Sequence, residues 1–213
     1  NIPDLFNFWL TGRQASEFTI ATTSQCYDPR AGDWARNMLA KLGIPPHIFG
    51  PLLQPGTVLD SLRSSVAEET GCPALPVVAS AGHDTASAVA AVPATDSDYI
   101  YLSSGTWSLM GVELDEAIIN QQSLDYNLTN EGGVGGTFRL LKNTMGLWLV
   151  QECRRQWSRE GESLSYAELT EMAAQAPAFG PLIDLKDQRF LPPGDMPARL
   201  AAECLDTGRH VAG

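Results

Sequence analysis

Three features of the 213-residue sequence predict an α/β fold. Short apolar runs, Pro76-Val77-Val78-Ala79 and Tyr99-Ile100-Tyr101-Leu102, alternate with stretches of helical spacing. The first run breaks at Gly82, presents His83-Asp84-Thr85 and passes into the small-residue stretch 85–92. That strand–turn–helix order puts Asp84 at the carboxyl end of a strand and the amino end of a helix. Open α/β sheets bind ligands at such ends, and the helix dipole there favours an ionised carboxylate. Gly82 frees the backbone for a tight turn. The second run leads into Ser103-Ser104-Gly105-Thr106-Trp107-Ser108, a hydroxyl- and Gly-rich turn whose N–H groups can hold phosphate. One carboxylate and one phosphate-type turn point to phosphoryl transfer to a neutral hydroxyl.

Composition narrows the classes. A hydrophobic share of 44% against 18% charged argues for a packed globular chain rather than disorder. The formal net charge of −11 counts against a nucleic-acid partner, which needs a basic surface. No run approaches the roughly 18 apolar residues of a membrane span, and no secretory signal is read at the start. The four cysteines (Cys26, Cys72, Cys153, Cys204) are scattered without a CxxC pair, so thiolate metal ligation is not predicted. A reduced, cytoplasmic protein with free thiols is the expectation, although an even count permits disulfides.

Taken in order, 4–10 reads as a helix with Pro3 in its first turn, Gly12 as its C-cap, and Leu5, Phe6, Trp9 and Leu10 as one buried stripe. A second helical stretch covers 17–24. A third, 33–43, carries Trp34, Met38, Leu39 and Leu42 on its apolar face and stops at Ile44-Pro45-Pro46. Residues 47–60 form a loop with one short strand at 57–59, and His47 there reads as a surface residue. Glu68-Glu69-Thr70-Gly71 ends a short helix. Pro93-Ala94-Thr95-Asp96-Ser97 is a turn, and a domain boundary is set there, giving domains 1–92 and 93–213. Residues 107–112 form a strand against 99–102.

The runs 126–131 and 137–141 flank Gly132-Gly133-Val134-Gly135-Gly136, read as a hairpin in preference to a phosphate cradle, which normally joins strand to helix. Asn143 or Thr144 caps a helix over 145–157, with Met145, Leu149, Val150, Cys153 and Trp157 inward and Arg154, Arg155 and Arg159 on a solvated face. Ser165 and Glu168 form a capping box for a helix at 166–173. Ile183-Asp184 and Arg189-Phe190-Leu191 read as short edge pieces in a loop-rich segment that includes Pro181, and a last helix spans 198–207 before Gly208.

Four segments, Gly82-His83-Asp84-Thr85, Leu102 to Gly111, Thr129-Asn130-Glu131-Gly132-Gly133 and Leu141 to Trp148, in this order and spacing, resemble the FGGY carbohydrate kinases. That family belongs to the ribonuclease H-like, actin-like ATPase fold. The resemblance implies that 1–92 is the end of the first, sugar-side domain and 93–213 the front of the second, nucleotide-side domain. It implies Asp84 as the catalytic carboxylate. A carboxylate is a poor base toward a resting alcohol, but phosphoryl transfer is loose enough that the proton leaves late. It further implies sugar contacts from His83, Asp84, Thr85 and Asn143, and nucleotide contacts from Gly105, Thr106 and Gln151. ATP with Mg2+, which keeps most of its waters, is the implied cofactor. Trp107, the His-Asp-Thr triplet and 130–133 favour rhamnulose as acceptor over xylulose, fuculose or glycerol, again by resemblance.

Other readings stay open on the residues themselves. Asp84 also suits a plain N-cap, His83 a core histidine, and Asn143 a cap alone. A non-catalytic actin-like nucleotide-binding module accounts for the same motifs. A hydrolase using Ser103 or Ser104 lacks a G-x-S-x-G elbow. An amino-terminal Asp-Gly-Thr/Ser phosphate loop and a later Gly-rich adenine segment, which the family carries, are absent from these residues. The expectation is therefore a partial site that turns over little ATP alone. Oligomeric state is not legible.

Overall fold

A computed structural model describes residues 1–206 apart from 97, 179 and 181. The predicted turn residue Ser97, Pro181 and the helix stop at Thr207-Gly208 lie outside the described residues. In chain order the first elements are α1 (Ile2–Thr11), β1 (Ser16–Glu17), α2 (Phe18–Ala21), β2 (Tyr27–Asp28), β3 (Asp33–Trp34) and α3 (Arg36–Lys41). Next come β4 (Leu52–Leu53), β5 (Val58–Ser61), α4 (Ser64–Thr70), β6 (Pro76–Val78), α5 (Asp84–Ala90), β7 (Tyr101–Ser104) and β8 (Trp107–Leu114). The chain continues through α6 (Gln121–Asp125), β9 (Thr129–Gly132), β10 (Phe138–Met145), α7 (Trp148–Arg159), α8 (Tyr166–Gln175) and α9 (Met196–Asp206).

Two compact units result. One holds Asn1–Ser103 with Met110–Lys142, the other Ser104–Leu109 with the described residues from Asn143 onward. The largest sheet has the order β7-β8-β10-β9. Its β9/β10 pair is the expected hairpin, antiparallel with Arg139 opposite Glu131 and Phe138 opposite Gly132. Gly135 and Gly136 take φ of 80° and 86° at its tip, a backbone that β-branched residues resist. β1 pairs parallel with β4, and β2 antiparallel with β3. β6 pairs antiparallel with β5 in a ribbon, so the strand before Asp84 belongs to a local two-stranded piece rather than to an open parallel sheet.

In the first unit, Ala21, Trp34 and Leu39 form a core against Ile44, Phe49 and Leu52. The Trp34 indole N–H donates to the Gly50 carbonyl at 2.8 Å, which satisfies its one polar atom. In the second, Met145, Leu149, Cys153, Phe190 and Met196 pack together, and the Trp148 indole donates to Phe190 O at 2.9 Å. Burial of Cys153 pushes its thiol up to about 11, which makes it an inert core residue.

Several expectations need correction. The stripe on α1 is exposed at Leu5, Phe6 and Trp9. Asp4 decides the helix rotation, because its Oδ1 accepts the buried Glu17 backbone N–H at 2.9 Å and turns the aromatic side outward. Helix α3 starts at Arg36, not Asp33. Asp33 and Trp34 instead pair with Tyr27-Asp28, the Asp33 carboxylate accepts the Trp34 N–H, and Met38 and Leu42 are exposed. Asn143 and Thr144 lie inside β10 rather than capping a helix, and α7 begins at Trp148. Val150 is exposed, off the inward stripe. Gln188–Phe190 is a 3-10 turn capped by Asp187, and 183–184 form no strand, so neither piece is an edge strand. The helices ending at Gly12 and Gly71 and the Ser165/Glu168 capping box stand as expected.

Candidate active site

In the first unit, Asp84 is the first residue of α5, and the cap position before it belongs to His83. The carboxylate therefore does not serve as the N-cap. Its Oδ1 accepts the Thr85 N–H at 2.7 Å, and the side chain is 97% exposed. Thr85 is buried, with its hydroxyl 3.4 Å from the same oxygen.

The exposed carboxylate sits on a turn pinned by buried groups. Glu17 is 1% exposed and accepts four bonds: from the Thr19 N–H (2.9 Å) and hydroxyl (2.6 Å), the Ile20 N–H (3.3 Å) and the Gly82 N–H (2.8 Å). The Thr19 hydroxyl in turn accepts the His83 N–H at 3.1 Å. A Cβ on Gly82 would lie 3.0 Å from the Pro3 Cβ and 3.1 Å from Glu17 Oε2, so side-chain-free backbone is what lets the turn approach. Ser87 donates to Ala81 O at 2.8 Å and closes the turn from the helix side.

Beneath His83 lies an ionic network. Arg139, fully buried, donates from Nη2 to Glu131 Oε2 at 3.1 Å and from Nε to Gly132 O at 3.2 Å, and its Nη2 stands 2.8 Å from His83 Nδ1. The Gly132 N–H donates to the Thr22 hydroxyl at 2.7 Å, and a Cβ on Gly132 would meet the Phe18 ring at 2.6 Å. The hairpin and α2 are thus locked edge to edge. Burial of Tyr101 pushes its phenol up to about 12, partly offset by neighbouring Arg139.

Burial also lowers the His83 imidazole from its ordinary 6.5, and Arg139 adds to that, against the opposing pull of Glu131, Asp84 and Glu17. The sign is fixed by linkage. Below about 6.5 the unfolded chain takes up a proton at His83 that the folded chain refuses, so stability present above that pH falls as pH drops toward the folded-state value. Urea midpoints measured at pH 7.5 and 5.5 should fall less steeply in His83→Gln than in the parent chain.

In the second unit, the turn at Gly105-Thr106 receives the start of α7. The Leu147 N–H donates to Gly105 O at 2.9 Å, and the Gly146 and Trp148 N–H groups donate to Thr106 O at 3.1 Å each. These carbonyls take amides that a helix start leaves unpaired, which is why α7 needs no side-chain cap. Gln151, one turn on, donates from Nε2 to the Thr106 hydroxyl at 3.1 Å. Gly105, Thr106 and Gln151 therefore lie together, with hydroxyl and amide groups of the kind that hold phosphate oxygens. Asn143 is exposed near the end of β10 in this unit. Sequence reasoning missed Glu17, Thr19 and Arg139, and it named Glu131 only as part of the 130–133 motif. The alternation in 137–141, which puts Arg139 on the face of buried Leu141, was the available signal.

The N-terminal domain of the FGGY family of carbohydrate kinases matches residues 1–91, and the C-terminal domain of that family matches 100–204. The chain is 43% identical to a rhamnulokinase of Bacteroides thetaiotaomicron over 99% of its own length and 42% of the relative's. It is 44% identical to a rhamnulokinase of Halalkalibacterium halodurans, over 99% of this chain and 44% of that one. A ligand-bound xylulose kinase of Lactobacillus acidophilus shares the fold at a TM-score of 0.67 and 19% identity, over 84% of this chain and 35% of that one. The chain spans about two-fifths of the length of the curated relatives it matches.

Proposed function

The chain belongs to the FGGY family of carbohydrate kinases, and we propose that it carries the sugar-activating carboxylate and part of the nucleotide site of an ATP-dependent ketose kinase, with rhamnulose as acceptor. One observation carries the reading: a fully presented carboxylate, Asp84, on a backbone turn held by the buried Glu17 and Thr19. Such a group can orient a hydroxyl without moving itself, which is what positioning catalysis requires. Asp84 would receive the proton of the attacking hydroxyl as its oxygen bonds to the γ-phosphorus and the bond from that phosphorus to the departing ADP oxygen breaks. His83, Thr85 and Asn143 are assigned contacts to neighbouring sugar hydroxyls, and the Thr85 hydroxyl also stands 3.4 Å from Asp84 Oδ1. Gly105, Thr106 and Gln151 hold the nucleotide phosphates. ATP would supply the transferred phosphoryl group there, with Mg2+ as the counter-ion of its phosphates.

Residues 1–92 are assigned to the end of the sugar-side domain and 93–213 to the front of the nucleotide-side domain. The 40–44% identity to rhamnulokinases favours rhamnulose over the xylulose named for the fold neighbour. A substrate panel on the protein at the length of its relatives, scored by ADP release, tests this. Rhamnulose should give the highest kcat/KM, and turnover confined to xylulose or glycerol overturns the choice of sugar.

The nucleotide side has its own test. A Cβ on Gly146 would stand 2.6 Å from Gly105 O, and backbone cannot retreat as a flexible side chain can. Gly146→Ala should therefore push the 105–106 turn aside and weaken ATP binding about tenfold, equivalent to about 1.4 kcal/mol, in a titration by calorimetry.

A further inference from the structure

We infer that Arg139 is a positioning residue that fixes His83 as a neutral imidazole with its proton on Nε2, turned toward the ligand beside Asp84. A guanidinium has only N–H donors, so the ring nitrogen it faces at 2.8 Å must accept. That nitrogen is Nδ1, and in a neutral ring the proton then resides on Nε2. Glu131 competes for the opposite tautomer, since its Oε2 lies 3.3 Å from Nδ1 and would draw a proton there. Arg139 prevails on two counts. It is the nearer group, and it already occupies Glu131 Oε2 with the same Nη2 at 3.1 Å. The hairpin register, with Arg139 directly opposite Glu131, is what delivers the pair to the ring together.

Two further contacts and the burial of the guanidinium keep the ring in place. The His83 N–H is tied to the Thr19 hydroxyl at 3.1 Å, Arg139 Nε is tied to Gly132 O, and the guanidinium has no exposed surface through which to swing away. On the outer side, His83 Nε2 lies 3.6 Å from Asp84 Oδ1, beyond a good hydrogen bond. The Nε2–H is therefore available to an incoming acceptor. The surface thus offers one donor and one acceptor side by side, the pattern that reads two neighbouring hydroxyls. One oxygen accepts from His83, and the other donates to Asp84. A protonated imidazole would hold the same oxygen but would clash with Arg139 at Nδ1, so the network also excludes the cation.

The tautomer follows from the contacts alone, while its use in sugar recognition rests on the kinase reading above, and the two can fail separately. The test is a long-range proton–nitrogen NMR correlation of the imidazoles in the 213-residue chain at neutral pH, with His83→Gln assigning the resonances among its three histidines. The expected pattern is Nε2–H with unprotonated Nδ1, moving toward Nδ1–H in Arg139→Met as Glu131 takes over. An Nδ1–H or doubly protonated ring in the parent chain, or an unchanged pattern in Arg139→Met, overturns the inference. Should Arg139→Met fail to fold, Glu131→Gln replaces it. Nε2–H must persist there, and appearance of Nδ1–H contradicts the role given to Arg139. In the kinase assay at the relatives' length, Arg139→Lys, a single-point donor without the fork, should raise the sugar KM about tenfold with kcat within about threefold. An unchanged KM removes the recognition half while leaving the tautomer result readable.

Discussion

Asp84→Asn should lower phosphoryl transfer to the sugar by about 10²- to 10⁴-fold, the range expected for losing a positioned general base. The substitution keeps size and a carbonyl-type acceptor for the Thr85 N–H, which Oδ1 now accepts at 2.7 Å. The turn itself is fixed by Glu17 and Thr19 acting on the backbone of Gly82 and His83, not by the Asp84 side chain. Stability and sugar affinity should therefore stay close to the parent values, with the loss confined to kcat. The measurement is ADP release at saturating sugar beside sugar binding by calorimetry. Unchanged turnover would move the protein to the non-catalytic alternative, an actin-like module that binds nucleotide without acting on sugar. An equal loss of sugar binding would instead mean that the carboxylate anchors the ligand rather than activating it.

Local signals made much of the molecule readable in advance. Gly12 and Gly71 end helices because a left-handed residue follows the last turn, at φ of 79° and 68°, and the Ser165/Glu168 pair caps a helix within its own four residues. The glycines between 131 and 137 sit between two alternating runs, which favoured a hairpin over a phosphate cradle, and β9 and β10 pair across them. Asp84 was legible for the same reason, since a small-residue helix after a glycine break exposes its first side chain. What could not be read depends on contacts far apart in sequence. The rotation of α1 is set by Asp4 reaching the Glu17 amide thirteen positions on, so an apolar stripe pointed the wrong way. Local propensity favoured a cap at Asn143, yet β10 pairing carries the strand to Met145, and the amides of α7 are taken by Gly105 and Thr106 instead. Buried charge is the hardest case. Residue type alone sends Glu17, Glu131, Glu152 and Arg139 to the surface, and all four are buried with partners.

Glu17 accepts four hydrogen bonds at the turn, and Glu17→Leu should cost about 3–6 kcal/mol of unfolding free energy. Leucine fills much of the same space but accepts nothing. The N–H groups of Thr19, Ile20 and Gly82 and the Thr19 hydroxyl would all lose their acceptor, the two Thr19 groups buried and the other two half-buried. Each buried group left unsatisfied costs about 1–3 kcal/mol, and partial relaxation keeps the total below the simple sum. Glu17→Gln isolates the electrostatic share. Its single carbonyl oxygen can take the place of Oε2 and receive Gly82, Ile20 and the Thr19 hydroxyl. Its amide nitrogen then faces the Thr19 N–H, donor against donor, a loss of about 1–3 kcal/mol. Urea unfolding monitored by tryptophan fluorescence should thus rank the parent above Glu17→Gln and Glu17→Gln above Glu17→Leu. Amide exchange gives the second readout: protection at Gly82 and His83 should drop in Glu17→Leu more than at residues of α8, because the carboxylate binds the turn directly. Equal loss of protection at Gly82, His83 and α8 would mean that Glu17 supports the chain as a whole and that Asp84 is held in place by something else.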